Sequence, residues 1–210
     1  MPTPPPLPPK PAKSSRWKIP LIIIGCCLGF LLLIIGAGFF FAFTASDFEP
    51  TASQKETVLT ADYAADFFEI DQSFGVEEWD CEKYIDGSRQ IYYLYVDESK
   101  TLSCTITIER KASDALTSYI TEWQALKLGN HLNEADVELK EANEIFSWGD
   151  DSKFAFQVSE NERYGFSFIT RKEKKIYFVD AWGLLLEDPD EVSAFLTPKL
   201  ELFDAESYQD

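Results

Sequence analysis

Residues 154–182 read FAFQVSENERYGFSFITRKEKKIYFVDAW, and the fold turns on this stretch. Three runs, 154–158, 164–170 and 176–182, are dense in Phe, Tyr, Ile and Val, side chains that suit a pleated, half-buried surface. The polar segments between them, 159–163 and 171–175, are short enough to reverse the chain but too short for a crossover helix. The stretch therefore predicts three consecutive antiparallel strands.

The same reading extends upstream. Trp79–Tyr84 and Gln90–Val96 flank Asp86-Gly87-Ser88, a hairpin signal because glycine accepts positive φ. Leu102–Ile108 alternates apolar with small polar residues, as a strand with one wet face does. A helix lies between the two sets of strands. Ser113 and Asp114 suit its start, Leu116, Tyr119, Ile120 and Trp123 form its expected buried stripe, and Gly129 suits its end. A short strand is expected around Val137–Leu139, and a short helix over Thr60–Phe68. Downstream, Asp188-Pro189-Asp190-Glu191 is a helix start with Pro at the first helical position. Val192, Phe195, Leu196, Leu200 and Phe203 follow on one face, and Pro198 predicts a kink or a restart capped by Thr197.

Strand meander, helix, strand meander, helix is the order of an α+β sandwich: antiparallel sheet with packed helices. The segments ERKASDALTSYITEW (109–123), YGFSFITRKEKKIYFVDAW (164–182) and DPDEVSAFL (188–196) resemble, in layout, the PsbP-like fold. That resemblance covers about 100 residues and carries no diagnostic motif, so it implies a fold and transfers no functional residue. Proteins of that fold mostly bind or stabilise partners.

Charge divides the chain. Four of the 19 basic groups (Lys10, Lys13, Arg16, Lys18) and none of the 36 acidic ones precede residue 47. Between the halves lies Ile19–Phe43, 25 residues without a charge. A helix of that length spans roughly 37 Å, enough for a hydrocarbon core of about 30 Å. A single transmembrane helix is expected over 19–43, in contact with membrane lipid. Basic residues stay cytoplasmic, so a Pro-rich cytoplasmic tail (1–18), a tether (44–58) and an extracytoplasmic domain (59–210) follow as the expected organisation. Gly25 and Gly29 form GxxxG, a face through which helices can pack closely in lipid. Ile23-Ile24-Gly25-Cys26 matches a lipobox in four residues, but a further apolar run follows where a polar tether would stand. In the tail, Pro5, Pro8 and Lys10 fit patterns read by proline-recognition domains, and a polyproline II spacer has the same composition.

The chemistry-bearing residues exclude several classes. A net charge of −17 argues against nucleic acid. One His cannot build a zinc finger, and no Gly-rich phosphate loop or GxSxG elbow occurs. His131, just past Gly129, suits a helix C-terminus better than catalysis. The acidic groups 77–80, 150–151 and 188–190 lack the ligand spacing of a calcium loop. No catalytic, cofactor or metal site is therefore expected. Cys81 and Cys104 would face an oxidising compartment, yet in a simple meander one strand separates them, so a disulfide needs another strand order or a Cys81 that lies beyond the paired region. The functional expectation is a membrane-anchored binding or interaction module with an unidentified protein partner. Two other readings are an accessory subunit of a membrane complex and an envelope hydrolase.

Overall fold

The protein is described by a computed structural model over residues 45–70, 75–132, 137–186 and 188–207. The apolar run 19–43, Gly25, Gly29, Pro5, Pro8 and Lys10 lie outside the described residues. No described helix is long and apolar enough to cross a membrane.

Residues 45–210 form one unit. Its described elements are β1 (Ala45–Asp47), α1 (Ala52–Thr57), α2 (Ala61–Phe68), β2 (Val76–Tyr84), β3 (Arg89–Val96), β4 (Thr101–Ile108), α3 (Ala112–Leu132), β5 (Glu138–Glu141), β6 (Asp151–Ser159), β7 (Glu162–Lys172), β8 (Lys175–Trp182) and α4 (Pro189–Ala205). The strands make one antiparallel sheet in the order β1-β2-β3-β4-β8-β7-β6-β5. Two local meanders are thus joined at one seam, where β4 pairs with β8 from Thr101↔Trp182 to Ile108↔Lys175. The expected α+β class, hairpin and strand sets are present, and Gly87 supplies the positive φ of the β2–β3 turn.

One face of the sheet carries the main core. β4 turns Leu102, Cys104, Ile106 and Ile108 to it, and β8 turns Tyr177, Val179 and Ala181. Helix α4 covers them with Val192, Phe195, Leu196, Leu200 and Phe203, all fully buried, the stripe expected from sequence. Asp188 caps α4 by accepting from the Asp190 and Glu191 N–H groups.

The structure corrects four expectations. The tether 44–58 instead contains β1 and α1. Thr51 and Gln54 close a capping box on α1, Gln54 and Thr57 are buried, and Tyr177 donates its hydroxyl to the Thr57 carbonyl. The folded unit therefore begins at Ala45 rather than at residue 59. Helix α4 does not restart at Pro198: it runs unbroken from Pro189 to Ala205, with buried residues on both sides of the proline. Helix α3 runs through Gly129 to Leu132. Its buried side is Ala115, Tyr119 and Trp123, with Leu126 partly covered, while Leu116 and Ile120 are exposed.

Candidate functional site: the open half of the sheet

Helix α3 lies on the opposite face, and it covers only part of it. The cluster beneath it joins Ala115, Tyr119 and Trp123 to Ala155, Ile169, Ile176 and Phe178, on β6, β7 and β8. No side chain of β2 or β3 belongs to that cluster. Period-two alternation and the strand register then fix what the uncovered half displays. From β2 come Val76, Glu78 and Asp80, and from β3 Tyr92, Leu94 and Val96, because Cys81, Ile91, Tyr93 and Tyr95 point into the main core. From β4 come Thr101 and Ser103, opposite Trp182 and Asp180 of β8, while Thr105, opposite Phe178, is buried at the margin of the α3 cluster.

Tyr92 is the centre of this surface. It pairs with Asp80 on one side and Thr105 on the other. Burial raises its phenol, and Glu78, Asp180 and Asp80 raise it further, so three carboxylates from two strands act on one ring. Asp180 is itself held in place: Ser167 Oγ donates to it at 2.5 Å and Gln157 Nε2 at 2.6 Å. Burial still pushes its carboxyl upward, against the pull of those two donors.

A wall of the site comes from α3. Ser118 donates to Glu109, just beyond the end of β4, at 2.6 Å, so the Ser118 edge of the helix faces β4. Glu122 lies one turn further on. Burial, then the Glu109 charge, push its carboxyl up to about 7. Its Oε2 and the Thr107 Oγ1 are buried without a hydrogen-bond partner. None of the residues that β2, β3, β4 and β8 turn to this face is Lys or Arg. Lys83, Arg89 and Lys175 belong to the other face, where Arg89 lies over the Phe48 ring and Lys175 over Phe203. The arrangement is chemically simple: carboxylates beside aromatic rings, with no ion pair to Glu78, Asp80 or Asp180 among the described residues.

The residues singled out from sequence are distributed as follows. Glu78 and Asp80 are on the site. Asp150 and Asp151 are paired to Arg171, at 3.3 and 2.5 Å. Asp188 and Asp190 belong to the α4 start. Cys81 and Cys104 are separate free thiols on strands divided by β3, with no bridge between them. The described residues contain no group of three or more His, Cys, Asp or Glu placed to hold a metal ion. Tyr92, Asp180 and Glu122 were not among the sequence candidates. Asp180 alone left a signal, as an acid in the middle of an apolar strand.

No family model matches the chain, and no curated protein matches it. Among solved structures it is similar to the extracellular domain of PknH from Mycobacterium tuberculosis, with a TM-score of 0.46 and 8% identity over 75% of this chain and 99% of that one.

Proposed function

We propose that this is a single-pass membrane protein with a cytoplasmic N-terminus, whose acidic extracytoplasmic domain is a binding module for a basic protein partner. The uncharged run 19–43, basic residues before it and acidic ones after it support the topology. The observation that carries the binding reading is the Tyr92 surface, where Glu78, Asp80 and Asp180 surround one ring and β2, β3, β4 and β8 turn no Lys or Arg to that half of the face. A Lys or Arg side chain would meet both the carboxylates and the Tyr92 ring.

The test uses the full chain in lipid nanodiscs and a labelled hexalysine peptide, with hexaglutamine as the neutral control. Hexalysine should bind, weaken as salt is raised, and weaken about tenfold in the Glu78→Gln, Asp80→Asn double variant, equivalent to about 1.4 kcal/mol. Equal binding of both peptides, or no effect of the double variant, overturns the reading.

A further inference from the structure

One border of this site is an unfinished sheet edge. Strand β1 pairs only with the end of β2, Asp47↔Glu82 to Ala45↔Tyr84. The chain then makes one more contact, Phe48 N–H to the Cys81 carbonyl at 3.0 Å, and leaves. The parity of β2 follows from two bonds. Tyr84 N–H donates across the hairpin to Ser88, so even positions bond inward to β3. The Cys81 carbonyl accepts from Phe48 on the other side, so odd positions point outward. Glu77 and Trp79 are thus left with outward N–H and C=O groups, and no strand pairs with them among the described residues. All five residues from Val76 to Asp80 are exposed.

Resting on the reading of the domain as a module for basic partners, we infer that this free edge of β2 takes an extended basic segment of the partner as an added strand. Unpaired edges are templates for such addition. The chemistry of the two faces sets the segment's pattern. On the open face the added strand would lie beside Glu78 and Asp80, which calls for Lys or Arg. On the other face it would lie beside Glu77 and Trp79, where a groove of about 680 Å³ is lined by Trp79, Phe48, Pro50 and Cys81 together with the charged Asp47, Glu49, Lys55 and Asp80. The Trp79 and Phe48 rings there favour an apolar residue in the added strand. The segment therefore alternates basic and apolar residues. A second copy of this chain is a poor occupant, because it would bring the same carboxylates against Glu77, Glu78 and Asp80.

The experiment compares three labelled peptides on the full chain in nanodiscs: Lys-Val-Lys-Val-Lys-Val, the same peptide N-methylated at alternate residues, and the block peptide Lys-Lys-Lys-Val-Val-Val. All three carry the same side-chain charge. The alternating peptide should bind at least about tenfold more tightly than the other two, and should slow hydrogen exchange at the Glu77 and Trp79 amides. Equal binding of all three overturns strand addition while leaving a basic-partner surface standing. Binding by none of them overturns both. Slow exchange at Glu77 and Trp79 in the free chain, accompanied by dimer formation, overturns strand addition by showing that a second copy fills the edge.

Discussion

Phe195→Ala should remove more stability than any other single truncation on α4. The side chain is fully buried, and its ring lies 4.9 to 6.0 Å from those of Phe67, Phe68, Tyr63 and Phe166. Three of these rings come from α2 and the fourth from β7, so Phe195 fastens two helices to the sheet at one point. Truncating a buried Phe costs about 3–5 kcal/mol through lost transfer energy and a residual cavity. Edge-on aromatic pairs add about 0.5–1.5 kcal/mol each beyond area, which places this site toward the upper end. With a urea dependence of about 2 kcal/mol per molar, a loss of about 4 kcal/mol lowers the midpoint by about 2 M. Urea titration of the full chain in detergent micelles, followed by tryptophan fluorescence, measures this directly. Leu116→Ala is the control: it is equally apolar, but exposed on α3, and should change stability by no more than about 0.5 kcal/mol. A midpoint shift for Phe195→Ala no larger than that of Leu116→Ala refutes the packing described for α4.

Three further outcomes are expected. Glu122 has a folded pKa of about 7, above its ordinary 4.5, so the folded state binds the extra proton between these values and its contribution to stability falls as pH rises through that window. Glu122→Gln should therefore stabilise relative to wild type at pH 8 more than at pH 5 in thermal melts, and an equal effect at both would exclude this origin. Gly165→Ala would place a Cβ 2.0 Å from the Ala181 carbonyl oxygen, where backbone must move; a loss of about 3 kcal/mol or more in urea titration is expected, and a neutral result refutes the close approach of β7 and β8. Cys104 is fully buried and its thiol is pushed up to about 11 by that burial, so peptide-resolved mass spectrometry after iodoacetamide should find it unmodified in the native chain and alkylated after unfolding.

Sequence disclosed what is local. The β2–β3 hairpin, the β6–β8 meander and the α4 stripe each depend on spacing within a few tens of residues. What it did not disclose depends on partners distant in the chain. In α3, the sets 115/119/123/126 and 116/119/120/123 differ by only part of a turn. The choice fell to Ala115 because β7 and β8 present Ile169 and Ile176 there. Segment 44–58 reads as a tether because its buried apolar residues are few, Pro50 and Val58, while its other buried residues, Gln54 and Thr57, are polar and bond within α1 and to β8. The Tyr92 surface has no motif at all. Its β2 acids reach the Tyr92 ring through the β2–β3 pairing, and only the β4–β8 seam brings Asp180 to the same face.

That seam also sets the order of events as the chain folds. Its paired residues are 67 to 81 apart in sequence, whereas the meanders on either side form across short turns. Closing such a loop costs entropy before its contacts repay it, and topologies of this kind fold in roughly milliseconds to seconds. We expect each meander to assemble first and the β4–β8 junction last. Asp180 would join Tyr92, Glu78 and Asp80 only in that final step, so the first meander alone presents a surface with one of its three carboxylates missing.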